Sequence, residues 1–195
     1  YKLFSADEDW SELNLYNTEP EKVTDFVVDA SDIPSSLKKA VTVTLTGEWD
    51  SDAFNLLSMA LGNNGGLFVT TNATLVTLDM SRIKVAENTP LWRQGLKEYG
   101  IFNNCTALEK VIMPTAEEAG HFTKLNKAFE GCTALRDIDL SLLTGATDIE
   151  AAFKGTAIEK ADLSGCTSLG STVGAFEGCA ALQEVILPAC FVADN

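Results

Sequence analysis

Four near-copies of one phrase, repeated at a nearly constant interval, constrain the fold of this chain more than any other feature. The phrase is clearest as AFEGCTALRDIDLS at 128–141 and AFEGCAALQEVILP at 175–188, and looser copies occupy 101–114 and 152–164. The phenylalanines of the four copies follow one another after 27, 24 and 23 residues. A fixed period of this length is typical of chains that stack one small structural unit repeatedly.

Each copy predicts one short strand and one return arc. The AFEG corner is followed by L-x-x-I-x-L, in which apolar and polar residues alternate as they do in a half-buried strand. A unit this small cannot bury its own apolar side, so neighbouring units have to cover it. We therefore expect an α/β repeat solenoid with one parallel strand ribbon. Inside it we expect a spine of Phe102, Phe129, Phe153 and Phe176.

The segment before the repeats predicts a cap for the open end of the stack. VTVTLTG at 41–47 alternates as a strand does, and TLVTLDMS at 74–81 matches the strand part of the repeat. Between them, DSDAFNLLSMAL at 50–61 is typical of a helix whose N-cap is Asp50 or Ser51. Together these pieces predict an N-terminal strand–helix–strand cap.

Three regions follow from these patterns. Residues 1–30 are acidic and weakly periodic, and we interpret them as a partly ordered leader. Residues 31–100 hold the cap, the first strand repeat and an insertion that lengthens the arc before the next repeat. Residues 101–195 hold the remaining repeats.

The repeats resemble the BspA-type leucine-rich repeats of bacterial surface proteins, whose pattern is A-F-x-x-C-x-x-L-x-x-I-x-L-P. The cap is similar to the amino-terminal part of such proteins from Bacteroides-like bacteria. The resemblance implies a right-handed leucine-rich-repeat stack in an exported or surface-anchored binding protein, with neither catalytic residues nor a cofactor. One full match to the pattern is formed by Ala175, Phe176, Cys179, Leu182, Val185, Leu187 and Pro188.

Composition limits the partners and the location. With 28 acidic against 14 basic residues the formal charge is −14, which repels phosphate backbones and argues against nucleic acid as a partner. No apolar run reaches the roughly 18–20 residues that span a bilayer, so we expect no transmembrane segment. We expect a cell-surface or extracellular protein, secreted or a lipoprotein, whose export signal or lipid anchor is not in this chain.

The five cysteines indicate packing rather than a metal site or a disulfide framework. Their number is odd, and no C-x-x-C pair is present, so the sequence predicts no metal site. Cys105, Cys132 and Cys179 each follow a repeat phenylalanine by three residues, and we expect this column to hold small buried hydrophobes. Only the first two lie on neighbouring turns, at a separation that a disulfide can span.

Charged residues at the exposed strand positions are the first candidate binding residues. In one column the sign of the charge alternates at each unit: Lys110, Asp137, Lys160 and Glu184. These residues either neutralise one another and fix the register of the strands, or form a mixed-charge face for a protein ligand. In another exposed column, Asp139 and Asp162 are adjacent without an opposite charge between them. That pair predicts a recognition or cation-contacting site.

The remaining candidates lie in the return arcs. Trp92, in the insertion, either anchors a partner or lies over the core. The single histidine, His121, is expected to be an ordinary surface residue. The common motifs for hydrolases, nucleotide-binding enzymes and metalloproteases are absent from the sequence, and we predict that the chain is not an enzyme.

Two functions are consistent with these patterns. The first is non-enzymatic binding or adhesion at the bacterial cell surface, in which the strand face or the insertion holds an extracellular protein or glycan. The second is a structural or assembly role, in which an uncovered edge strand at the C-terminal end pairs with another copy of the chain and forms a homodimer.

Overall fold

The computed structural model describes residues 25–62, 73–93 and 99–189, and it consists of short strands joined by long arcs. The elements in these ranges are, in chain order, β1 (Asp25–Asp29), β2 (Thr42–Trp49), α1 (Ser51–Ala60), β3 (Thr77–Val85), β4 (Trp92–Arg93), β5 (Tyr99–Gly100), β6 (Lys110–Ile112), α2 (Ala116–Ala119), a 3-10 turn (Leu140–Leu142), β7 (Lys160–Asp162) and β8 (Glu184–Ile186).

The strand–helix–strand cap is present where the sequence predicts it. β2, α1 and β3 follow one another, and β2 and β3 pair in parallel. Helix α1 is capped by Asp50, whose Oδ1 accepts hydrogen bonds from the amides of Asp52 at 3.0 Å and Ala53 at 2.9 Å. The helix ends where Gly62 adopts a φ of 97°, a left-handed conformation that glycine reaches without strain. Of the two candidate N-cap residues, Asp50 and Ser51, the N-cap is thus Asp50.

The predicted boundary at residue 30 is wrong, because 25–29 belong to the sheet and not to a leader. Strand β1 pairs in parallel with β2 through all five of its residues, and the sheet order is β1-β2-β3-β6. Val28 is buried, so the strand contributes to the core. Residues 1–24 of the predicted leader lie outside the described residues.

The phenylalanine rings of the four repeats lie one on another, which confirms the predicted spine. Ring centroids are 5.2 Å apart for Phe102 and Phe129, and 5.8 Å apart for Phe129 and Phe153. Phe176 follows Phe153 at 5.5 Å, and neighbouring rings are tilted by only 9° to 14°. The first three rings are buried, and the last is half-buried.

Backbone hydrogen bonds join each repeat to the next at the corner and along the return arc. At the corner, the Phe129 amide donates to the carbonyl of Ala152 at 2.8 Å. In the arc, parallel bridges join Asp148 to Lys124 on one side and to Ser171 on the other. Because equivalent residues of successive units are bonded in the same way, the units are stacked in register.

The strand positions do not form the single continuous ribbon that the sequence predicts. β6 continues into the next unit through one bridge, between Lys110 and Asp137, and β7 and β8 form a separate two-stranded parallel sheet. The cause is the unit at 152–164, which is one residue shorter between its phenylalanine and its first strand residue. Its Ala157 amide donates to the carbonyl of Leu135, whereas in the next unit the amides of Gln183 and Glu184 both donate to the carbonyl of Glu159.

Close backbone approach between units explains one of the glycines. A Cβ on Gly145 would collide with the carbonyl oxygen of Gly120 in the preceding arc, whereas a Cβ on Gly170 would make only an ordinary contact at 3.5 Å. Gly145 is therefore required by the distance between units, since any side chain would separate them.

Replacing the central ring tests the spine. Phe129→Ala should lower the free energy of unfolding by about 3–5 kcal/mol, because it removes a buried ring that is covered on both faces and leaves a cavity. Chemical denaturation measures this loss. Phe176→Ala is the matched control and should cost less, because its ring is half-buried and stacked against one neighbour. Equal losses for the two variants would show that stacking on both faces is unimportant.

Candidate binding site

The charged residues of the predicted column form ion pairs between neighbouring units. Lys110 Nζ lies 2.7 Å from a carboxylate oxygen of Asp137, and Lys160 Nζ lies 3.0 Å from one of Glu184. All four side chains are about half exposed, so each pair contributes no more than about 1 kcal/mol. On either side of the break in the ribbon, the backbone pairs the same residues, Lys110 with Asp137 and Lys160 with Glu184. This geometry favours the interpretation that the charges neutralise one another and fix the register.

Asp139 and Asp162 each close a turn of their own chain. Oδ1 of Asp139 accepts hydrogen bonds from the Ser141 amide at 3.0 Å and the Ser141 hydroxyl at 2.6 Å. Oδ1 of Asp162 accepts from the Ser164 amide at 3.0 Å. A carboxylate that accepts from the amide two residues later stabilises a tight turn. The pair therefore has a local structural role that the predicted recognition site did not include.

The same turn occurs twice in the cap, and its signal is present in the sequence. Asp79 accepts from the Ser81 amide at 2.8 Å, and Asp29 accepts from both the amide and the hydroxyl of Ser31. The motif D-x-S after a strand position thus recurs along the stack and predicts the turn. The signal lies in the serines that follow the aspartates, and an alignment of the aspartates as a surface column does not contain it.

Hydrogen bonding lowers the carboxyl pKa of the aspartate in two of these turns. The Ser164 side chain and amide hold the pKa of Asp162 below its usual range. The Ser31 side chain and amide, with the hydroxyl of Thr46, do the same for Asp29. Within 25–62, 73–93 and 99–189, no cluster of three or more His, Cys, Asp or Glu side chains is placed to hold a metal ion. The geometry therefore gives the predicted cation contact no support.

Trp92 lies at the edge of a shallow cavity beside the cap. It starts β4, which pairs antiparallel with β5, and its ring is half-buried. Lys124 Nζ is 5.9 Å from the ring centroid, within the range of a cation–π contact. The cavity measures about 280 Å³ and is also lined by Asn55, Pro90 and Arg93. Trp92 is thus half-buried and lines an accessible surface, and its role as an anchor for a partner stays a prediction. Residues 94–98 of the insertion lie outside the described residues.

The thiols of the repeat column serve packing, as the sequence predicts. Cys132 Sγ donates to the carbonyl of Phe102 at 3.1 Å, and Cys179 Sγ donates to that of Phe153 at 3.0 Å. Burial raises the pKa of Cys105 to about 12, so this thiol is protonated at neutral pH. The four described cysteines are free, so the bridge open to Cys105 and Cys132 is not formed, and Cys190 lies outside the described residues.

Threonine replaces cysteine in one unit and donates to the phenylalanine carbonyl of its own unit, whereas the thiols of Cys132 and Cys179 donate to that of the preceding unit. Thr156 is buried, and its hydroxyl donates to the carbonyl of Phe153 at 2.8 Å. The column therefore requires a small side chain with one hydrogen-bond donor rather than a thiol as such.

His121 joins the arc to the cap. Its Nδ1 lies 2.6 Å from the carbonyl oxygen of Val85, and Glu118 accepts the Val85 amide at 2.6 Å. Both backbone polar groups of Val85, at the end of β3, are thus held by Glu118 of α2 and by His121, two residues after that helix. The histidine is half-buried at the surface, as expected, and it also has a structural contact with the cap.

No protein-family model matches this sequence, and no curated protein is significantly similar to it. The resemblance to BspA-type repeats therefore stays a prediction from the repeat residues.

Across the three described ranges, no helix is long and apolar enough to cross a bilayer. The longest of them, α1, has ten residues and spans about 15 Å, half of a hydrocarbon core.

Titration of Asp162 tests the turn. Its carboxyl should titrate below the ordinary value of 3.8, and Ser164→Ala should raise the midpoint towards that value because the hydrogen bonds favour the charged form. Carboxyl NMR measures both. Since the folded-state pKa is lowered, the stabilisation is complete above the unfolded-state pKa and is lost as the pH falls through the folded-state pKa. Ser164→Thr keeps the hydroxyl and is the control; one midpoint shared by all three proteins would contradict the assignment.

Proposed function

We propose that this chain is a non-enzymatic binding module, built as a leucine-rich-repeat solenoid, that holds an extracellular protein or glycan at the bacterial cell surface. The observation that carries the proposal is the stacking of Phe102, Phe129, Phe153 and Phe176, because equivalent corners, arcs and strands are thereby repeated side by side. A stack of this kind presents extended rigid surfaces, which is how repeat proteins bind large partners.

The thiol of Cys105 and the imidazole of His121 are groups of the kind that catalysis uses, and both contribute to the packing of the fold. The buried thiol of Cys105 is protonated at neutral pH, and His121 contacts the Val85 carbonyl. These contacts favour a binding role over nucleophilic or general-base catalysis. The location at the cell surface rests on the resemblance of the repeats, and the acidic charge of −14 disfavours a nucleic-acid partner.

The surface around Trp92 is a better candidate for protein contact than the strand face. The strand charges are already satisfied by one another, so a partner would have to compete with the Lys110–Asp137 and Lys160–Glu184 pairs. Trp92 combines a half-buried ring with neighbouring cationic and polar side chains, and tryptophan and arginine are enriched among the residues that dominate protein interfaces.

Binding to arrays of extracellular matrix proteins and glycans tests the proposal. For a protein ligand, Trp92→Ala should weaken binding at least tenfold, because a dominant interface residue is worth roughly 2 kcal/mol or more. The matched control exchanges a pair, Lys160→Glu with Glu184→Lys, and should bind as the unmodified protein does. A larger loss in the exchanged pair than in Trp92→Ala would assign the site to the strand face. Binding to none of the arrayed molecules would count against a binding module.

Self-association is the second candidate, and one observation favours it. In the last unit Val185 and Leu187 are 41% and 45% exposed, whereas their equivalents in the preceding unit, Ala161 and Leu163, are buried. Strand β8 is paired with β7 alone among the described strands. An exposed edge strand with an apolar side is a template for another chain.

Sedimentation at several concentrations tests self-association. The unmodified protein should form a dimer as its concentration rises, and Val185→Glu with Leu187→Glu should keep it monomeric, because two charges are placed in the apolar contact. Val27→Glu is the control, since Val27 is 71% exposed at the opposite edge of the stack, on β1. A monomer at every concentration would exclude this role for the isolated chain.

A further inference from the structure

We infer that a polar groove across the corners of three successive units binds a neutral carbohydrate, a glycan built of uncharged pyranose rings. This corner groove is separate from the strand face and from the Trp92 surface, and the inference rests on the proposed binding function, for which it specifies a site and a ligand class. The cavity measures about 480 Å³, within the range of roughly 300–1,000 Å³ for small-ligand sites. Its principal side chains are Tyr99, Asn103, Asn104, Lys127, Glu130 and Lys154.

Two of these side chains occupy backbone positions at which other units have glycine. Asn104 has a φ of 59°, and the equivalent residues of the next three units are Gly131, Gly155 and Gly178, all with positive φ. Asn104 therefore keeps a side chain in a left-handed conformation that the other units adopt with none. Asparagine tolerates this conformation better than most residues, but glycine adopts it without strain.

Lys127 is the second case. Its φ is 57°, and its equivalents in the following units are Ala151 at 51° and Gly174 at 62°. A long side chain in the left-handed region costs conformational free energy that glycine does not. Strained residues of this kind cluster at functional sites. Both Asn104 and Lys127 line the corner groove, so the cost is incurred where their side chains face a ligand-sized space.

The groove also has a linked network of fixed polar groups. Asn103 is buried; its amide nitrogen lies 3.4 Å from a carboxylate oxygen of Glu130, and its amide oxygen accepts a hydrogen bond from Asn104. Groups held by one another in this way keep their positions before a ligand arrives, which reduces the entropy lost on binding. The network offers acceptors and donors side by side.

The mixture of donors and acceptors, with balanced charge, favours a neutral sugar. The lysines at 127 and 154 are accompanied by the carboxylates of Glu130 and of Glu177, which lies 2.9 Å from Lys154 Nζ. An anionic ligand would need an excess of positive charge, which this balance does not supply. Sugar hydroxyls both donate and accept, so they match ammonium, amide and carboxylate groups at once. Tyr99 lines the groove and is half-buried, and an aromatic side chain is the type of group that packs against the C–H face of a pyranose.

The test uses neutral gluco-, galacto- and manno-oligosaccharides as probes, with uronic-acid oligosaccharides for comparison. Chemical-shift changes in the intact chain should map to the corner groove, and at least one neutral probe should bind more tightly than its uronic-acid counterpart. Lys127→Gly should weaken that binding at least tenfold while raising the denaturation midpoint, because the strain is removed with the side chain. Ala151→Gly, in the same column outside the groove, should raise the midpoint and leave sugar binding unchanged.

Each alternative outcome overturns the proposal. Shifts elsewhere or no shifts, tighter binding of uronic-acid probes, or unchanged binding by Lys127→Gly would remove the groove as a neutral-sugar site. Specific capture of an arrayed matrix protein that Lys127→Gly abolishes and Trp92→Ala leaves intact would assign the groove to a protein instead. If the groove fails while Trp92→Ala still reduces binding to a matrix protein, the proposed function survives; if neither the sugars nor the arrayed proteins bind, both fail.

Discussion

Contact between the phenylalanine rings of neighbouring units is the interaction on which the remaining structure depends. Adjacent strands of a sheet are about 4.8 Å apart, and the ring centroids are separated by 5.2 to 5.8 Å, so side chain and backbone repeat at nearly the same distance. Each inner ring is covered on both faces, and each such pair adds roughly 0.5–1.5 kcal/mol beyond the burial of its area. A unit without neighbours would expose its ring, and for this reason the units are stable only together.

Polar side chains inside this stack form hydrogen bonds with its backbone. The thiols of Cys132 and Cys179 and the hydroxyl of Thr156 donate to phenylalanine carbonyls, which satisfies groups that burial would otherwise leave without a partner. Outside the core, aspartates close the turns that follow the strands, and lysines pair with carboxylates of the next unit. Many charged side chains that resemble recognition residues in the sequence therefore stabilise turns or pair with the next unit.

Function in a structure of this kind depends on the positions where the units differ. The corner is the clearest example, since one column of left-handed residues contains lysine, alanine and glycine in successive units. The backbone is the same in each case, so the side chain added at one unit changes the surface without changing the stack. The proposed sugar site arises in this way, from side chains at positions where other units have glycine.

Sequence by itself determined the repeat, the phenylalanine spine and the strand–helix–strand cap, because these follow from periodicity and local capping. The pairing of opposite charges along the strands was also within reach, since it needs only the order of the units. Tertiary structure decided the break in the ribbon, the membership of residues 25–29 in the sheet, the contact of His121 with Val85, and the groove across three corners. Each of these depends on distances between segments far apart in the chain, and a shift of one residue changes which backbone groups meet without altering the apolar pattern.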